Sequence, residues 1–214
     1  MNAARRLRGV RRGRTMAPMS ARILVLALAL ATSWAGAAHA RKVEGIEFPE
    51  YVEVADWQMP LRLSGAARVS RNYLPVYVVA LYVGRARVDA AMLGRGLVPC
   101  RFVVHWQTPR LGADDGKAWW LEQLRAQVPV AADRERLAGQ FDKLATALGG
   151  GARGEEVRVD YHPEHGLRIG RDGAPAQTFT GLELARLVLG LWIGAEVRSD
   201  VRAPLLGGLE LKAG

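Results

Sequence analysis

The chain has 214 residues, half of them hydrophobic, and a formal charge of +9. That length allows one domain or two, and the apolar fraction is enough to bury a core. The charge does not point to a polyanion: Arg5, Arg6, Arg8, Arg11, Arg12, Arg14 and Arg22 stand among the first 40 residues with no acidic residue, the rest is close to neutral, and a domain without a global positive field excludes nucleic acid as a partner.

The arginines precede an apolar run from Ile23 to Ala31, and Ala38-His39-Ala40 follows. A basic stretch, a short apolar core and an A-x-A site make a secretory signal peptide. The run is too short to span a bilayer, which takes about 20 residues. Cleavage after Ala40 is expected, with Met16 and Met19 as alternative starts and an uncleaved amphipathic anchor as the rival reading. The expected organisation is a signal peptide over 1–40 and one domain over 41–214, periplasmic or secreted, with no transmembrane span after cleavage. Cys100 is the only cysteine, so no intrachain disulfide forms, and no cysteine follows the apolar run to carry a lipid. Cys100 reads as a small buried residue at the start of a strand.

After residue 40 the first third reads as β-structure. Tyr51 to Val54 and Met59 to Ala67 alternate, and Ser70 to Val83 is one long run dominated by tyrosine and valine. Both faces of that run are apolar beyond Tyr73, so it is expected to be covered on both sides, with an interruption or an edge at Pro75. Val88 to Leu93 reads as a short helix and Arg101 to Trp106 as a strand. Two helices follow, one with Trp120, Leu121, Leu124 and Val128 on one stripe, the other with Leu137, Phe141, Leu144 and Leu148. Gly149-Gly150-Gly151 stops the second. Val157–Tyr161, Leu167–Ile169 and Gln177–Phe179 form a meander, turned at 163–166 and 172–173. Thr180 and Glu183 have the spacing of a capping box before a helix that runs to Trp192. A helical turn over 201–206 ends the pattern. Strands, a helical pair, hairpins and a final helix make an antiparallel α+β class.

Several stretches in order carry a resemblance. They are Val43-Glu-Gly-Ile-Glu-Phe-Pro49, Leu63-Ser-Gly-Ala-Ala67, Val76-Tyr-Val-Val-Ala-Leu-Tyr-Val83, Asp160-Tyr161, Phe179-Thr-Gly181 and Leu189-Gly-Leu-Trp-Ile-Gly194. Together they resemble the chalcone-isomerase-like family, and specifically its bacterial exported branch. The resemblance implies an open-faced β-sandwich, in which a large antiparallel sheet carries helices packed on one face, with a cleft between sheet and helices. In plant members that cleft binds a flavonoid, and the enzyme closes a ring by intramolecular addition of a phenolate. Other members lack activity and bind fatty acids there, an arginine meeting the carboxylate.

The family's arginine stands fifth in a G-A-G-x-R run. Here the fifth place is Val69, and Arg68 comes one step early. A one-residue shift turns a strand side chain to the opposite face unless a bulge restores it. Arg71 shares parity with Val69 and is the second candidate. The threonine of catalytic members falls at Tyr77, and their tyrosine falls near Asp114. Arg68 and Arg71 are therefore the candidate cations for a carboxylate or an enolate, with Tyr73, Tyr77 and Tyr82 as candidate hydroxyl donors. The rival reading makes them surface arginines and core tyrosines.

The leading expectation is a non-catalytic exported protein that binds a small hydrophobic ligand, a fatty-acid-like carboxylate, through Arg68, Arg71, Tyr73 and Tyr77. The alternatives are a chalcone-isomerase-type intramolecular lyase and an envelope interaction module without ligand. Asp160, His162, Glu164 and His165 match no zinc spacing and read as turn chemistry, so neither a metal nor a cofactor is expected. His105 and Trp106 either line the cleft or belong to the core and edge. One of Trp119 and Trp120 is expected in the core, the other half-exposed.

Overall fold

The computed structural model describes residues 40–84 and 88–209. The expected signal peptide, apart from Ala40, lies outside the described residues. Every element described below lies in one compact unit, residues 39–214.

A small hairpin opens the unit, β1 (Arg41–Val43) with β2 (Ile46–Phe48). A seven-stranded antiparallel meander follows in simple order: β3 (Tyr51–Val52), β4 (Leu61–Arg71), β5 (Leu74–Val83), β6 (Cys100–Trp106), β7 (Glu156–His162), β8 (Gly166–Arg171) and β9 (Ala174–Phe179). Helix α1 (Ala90–Gly94) lies between β5 and β6. Helices α2 (Ala113–Ala126) and α3 (Ala131–Leu148) lie between β6 and β7, and α4 (Leu182–Ile193) and α5 (Ser199–Leu206) follow β9. This is the α+β class expected, a large antiparallel sheet with helices.

Alternation along β5 divides its side chains. Tyr77, Val79, Leu81 and Val83 join Phe102, Val104, Trp106 and the helices in the larger core. Val78, Ala80 and Tyr82 join Phe48, Val54 and Leu61 in a smaller core on the other face, under the β1–β2 hairpin. The strand is thus covered on both sides, which explains why both of its faces are apolar. Leu137, Phe141, Leu144 and Leu148, the stripe read from the sequence, are all buried. Truncating such a core phenylalanine costs about 3–5 kcal/mol.

The structure departs from expectation at residues 70–83. The single run is two strands, broken at Asn72 and Tyr73, which turn the chain with φ of 50° and 66°. A register shift follows, so that Ser70 faces Pro75 while Val69 faces Tyr77. Val76 is the extra residue of this bulge, and both it and Tyr77 join the helix-side core. The proline sits where the ladder is already interrupted.

Gly65 shows why Leu63–Ala67 is so small in the middle. A Cβ there would lie 1.9 Å from the Pro204 carbonyl oxygen, so only glycine lets α5 lie against β4. Ser64, displaced by a second register shift, donates to the Leu205 carbonyl at 2.7 Å. The capping box at Thr180 does not form. The N-cap is Gly181 with no side-chain bond, and Glu183 instead pairs with Arg136 of α3 at 2.6 Å.

Among the described residues, no helix is long and apolar enough to cross a membrane.

Candidate functional site

Between the centre of the sheet and the helices lies an aromatic cluster. The Tyr77 ring stands 5.5 Å from Trp106 and 5.6 Å from Trp120, Trp120 stands 5.9 Å from Trp192, and Trp192 stacks on Phe102 at 4.7 Å. Trp120 donates to the Gly149 carbonyl at 2.8 Å. The middle of the interlayer space is therefore filled, and space stays open toward the Tyr77 end of β5 and beside Gly149–Gly151.

Two cavities open at the Tyr77 end, with Trp119 of α2 in the wall of both. The larger, about 360 Å³, is lined by Val69, Tyr77, Trp119, Leu191, Val197 and Val201, with Gln123 and Gln127 among its polar groups. The smaller, about 230 Å³, lies against Arg71, Leu74, Pro75, Val76, Leu111 and Trp119. Each is mainly apolar with a few polar groups, the usual make-up of a small-molecule site.

Polar groups at these cavities have unused donors. The Trp119 indole Nε1 is buried with no hydrogen-bond partner among the described residues, as is that of Trp106, and such groups are uncommon enough in a folded protein to need an explanation. Tyr77 accepts a hydrogen bond from Trp192 Nε1 at 3.2 Å. Its own proton has no acceptor among the described residues. Burial pushes the Tyr77 pKa well above the usual phenol range, so the hydroxyl stays protonated and able to donate. Arg71 lies with its guanidinium 5.2 Å from the Trp119 ring centre and has no carboxylate partner among the described residues.

The four residues singled out from the sequence fall in three places. Arg71 and Tyr77 line the paired cavities. Arg68 sits opposite Val78, on the other face from Val69, and its guanidinium meets Glu44 at 3.2 Å. The bulge lies beyond it, so its direction is not restored. Tyr73 is fully exposed at the hairpin turn. Arg68 and Tyr73 border a separate polar hollow with Arg198 and Asp200. Tyr82 belongs to the smaller core on the far face. Trp119, which the sequence marked only as one half of a tryptophan pair, is the residue missed. Its signal was the i to i+1 spacing, which puts one ring in the helix's buried stripe and the next at its margin.

Of the positions that the resemblance relates to a ring-closing enzyme, Tyr77 lies at the paired cavities with the candidate cation Arg71, and Asp114 does not. Asp114 borders a different crevice of about 840 Å³, beside Arg110, Lys117, Glu155, Arg171 and the glycine run. Two of the cations there already have partners: Lys117 meets Asp142 at 2.6 Å, and Arg171 donates to the Leu148 carbonyl at 3.0 Å. That crevice suits water rather than an acyl chain. His105 faces away from the helices, with Nε2 3.2 Å from Glu156 and its ring against Phe48, so it does not line the cleft. Cys100 is buried, and burial pushes its thiol pKa up, which leaves it unreactive. His162, Glu164 and His165 bring one ligand atom each within 4.8 Å of one another. His162 Nδ1 accepts from the Glu164 N–H at 3.2 Å, so in the neutral ring the proton sits on Nε2.

The Chalcone isomerase-like family model matches residues 40–207. The chain belongs to that family. A fatty-acid binding protein of Arabidopsis thaliana has a similar structure, with a TM-score of 0.58 at 17% sequence identity, over 78% of this chain and 96% of that one. At that identity the likeness establishes the fold, the chalcone-isomerase-like arrangement of a large sheet with helices. No curated protein matches the sequence.

Proposed function

We propose that this chalcone-isomerase-like protein is a non-catalytic binder of a hydrophobic carboxylate, fatty-acid-like in class, exported by cleavage after Ala40. The observation that carries the reading is Trp119, which lines both apolar cavities and whose buried indole N–H has no hydrogen-bond partner among the described residues. A carboxylate accepts from that N–H and from the Arg71 guanidinium beside it, a charge-assisted and potentially bidentate contact. The Tyr77 hydroxyl is a further donor in the larger cavity. The acyl chain runs along Val69, Leu191, Val197 and Val201, which offer apolar surface and nothing to hydrogen-bond.

The fatty-acid binding described for the Arabidopsis protein of the same fold supports this choice of ligand class. A cavity of about 360 Å³ lies at the lower end of the ligand-pocket range of about 300–1,000 Å³, and has room for one acyl chain.

Native mass spectrometry of the purified protein tests the reading. Co-purified fatty acid, or mass addition and thermal stabilisation on adding one, is the expected result. No adduct and no stabilisation by any acyl carboxylate would leave the cavities without a ligand and sink the proposal. Mass determination of the protein recovered from the expressing cell's envelope fraction tests export: a chain beginning at Arg41 is expected, and an intact leader contradicts it.

A further inference from the structure

The hairpin between β4 and β5 is closed by Asn72 and Tyr73, both in the left-handed backbone region. Two-residue hairpin turns take that conformation because its twist matches the strands, and asparagine followed by glycine is its preferred pair. Asn72 fits. Tyr73 does not: a bulky side chain at φ 66° is held against its preference, and the fold recovers nothing by burial, because Tyr73 is 100% exposed. Leu74, next to it, is 71% exposed. Two large apolar side chains thus project from one tip with no role in the core.

What flanks the tip is chemically two-sided. One side is a polar hollow of about 470 Å³ lined by Arg68, Ser70, Asn72, Tyr73, Arg198 and Asp200. The other is the apolar cavity of Arg71, Leu74 and Trp119. Three guanidinium groups surround the tip. Glu44 pairs with Arg68, and Asp200 with Arg198. Arg71 is unmatched, so the collar is net positive.

We propose that this tip docks the protein on an anionic phospholipid bilayer. Tyr73 and Leu74 enter the interface, where a tyrosine keeps its ring among acyl chains and its hydroxyl among headgroups. Arg71 and the polar hollow face the headgroup phosphates, which attract basic residues close to the surface. The mouth of the smaller apolar cavity, against Leu74, then opens at the depth where acyl chains lie. Docking needs only the tip; its use for loading the cavity rests on the function proposed above.

The test uses residues 41–214, since residues 39–214 form a compact unit that holds every described strand, helix and both cores and so carries what it needs to fold alone. It is sedimented with vesicles of phosphatidylcholine, or of phosphatidylcholine with about one-third phosphatidylglycerol. Binding to the anionic vesicles is expected, weakened by salt, and falling about tenfold in Tyr73→Gly and further in Tyr73→Gly/Leu74→Ser. The same Tyr73→Gly change is expected to raise the thermal midpoint, because glycine meets the left-handed turn without steric cost. Wild-type protein left in the supernatant with both vesicles, or Tyr73→Gly sedimenting as wild type, overturns docking. So does a lowered midpoint, which would make Tyr73 a structural residue. Fatty-acid uptake measured without vesicles separates the two proposals. Uptake without docking sinks this one alone, and docking without uptake sinks the cavity reading alone.

Discussion

Trp192 donates its indole N–H to the hydroxyl of Tyr77 at 3.2 Å, so a helix of the covering layer fixes the one tyrosine of β5 that borders the larger cavity. With its acceptor role taken by Trp192, the hydroxyl's remaining capacity is as a donor. Tyr77→Phe keeps the ring and removes that donor. It also leaves the Trp192 N–H buried without an acceptor, at a cost of about 1–3 kcal/mol in stability. Fatty-acid affinity is expected to fall about tenfold or more, the equivalent of one hydrogen bond to a charged acceptor of about 1.5 kcal/mol or more. Urea unfolding and a ligand titration on the same preparation check both numbers.

Arg71 is the converse case, important to the ligand and nearly neutral to the fold. Its contact over Trp119 is exposed, and such a cation–π pair contributes about 0.5–1 kcal/mol. Arg71→Met keeps the apolar stem and removes the charge. Stability is expected to change by less than about 1 kcal/mol, while affinity for a carboxylate falls about tenfold or more, the equivalent of one charge-assisted bond. Affinity for the corresponding alcohol should be unchanged. Equal losses for acid and alcohol would show that Arg71 does not meet the carboxylate.

On the far face of the sheet, Asp160 holds three elements together. Its carboxylate pairs with Arg101 of β6 at 2.5 Å and Arg168 of β8 at 3.2 Å, and Arg101 also donates to the Glu53 carbonyl at 3.2 Å. Asp160 is buried, so removing its charge strands Arg101, which the fold has largely desolvated, while Arg168 keeps Asp56 at 3.2 Å. Asp160→Asn is expected to cost about 3 kcal/mol, a fall in thermal midpoint of roughly 6–12 °C for a domain of this size. Ligand affinity should stay as it was, because the cluster lies on the face opposite the cavities. A midpoint unchanged within error would contradict the account of this cluster.

Acidity acts through His105. Burial lowers its pKa from the ordinary 6.5, against opposing pulls from Glu156 and Asp172. The neutral ring keeps its 3.2 Å contact to Glu156 by donating from Nε2. Because the folded pKa lies below the unfolded one, the unfolded chain takes up a proton first as pH falls. Stability is therefore full above the unfolded value and declines as pH drops through 6.5, levelling off below the folded value. His162, lowered by burial and by His165, acts in the same direction. His105→Gln should flatten the decline, as read from unfolding midpoints across pH 5 to 7.5, a range that brackets the ordinary histidine value of about 6.5. A slope as steep as that of the wild type would contradict the assignment.

Local patterning carried most of the fold. The stripe Leu137, Phe141, Leu144 and Leu148 predicts the buried face of α3, and all four residues lie in it. Strands β6 to β9 and their turns were readable from alternation and from turn residues. The turn at Asn72–Tyr73 was not, because a tyrosine stands where a hairpin usually signals glycine, and the strand pattern runs through it unbroken. The β1–β2 hairpin is too short, at 3 residues a strand, to give a periodic signal. Site residues were legible only as far as parity held. Arg71 followed from counting two residues beyond Val69, while Arg68 points outward by plain parity, because the bulge lies beyond it and adds its extra residue at Val76, on the neighbouring strand. Trp119 acquires meaning only when α2 is laid against β5, since no local rule says that an indole N–H will be left without an acceptor.

The most direct measurement follows the indole N–H resonances of the protein during titration with a long-chain fatty acid, with the Trp119 signal assigned by Trp119→Phe. A carboxylate bound at the shared wall of the two cavities moves the Trp119 N–H strongly downfield, and leaves the Trp120 N–H, already bonded to the Gly149 carbonyl at 2.8 Å, where it was. A Trp119 signal that stays fixed while the acid binds, or acid that does not bind at all, contradicts the account.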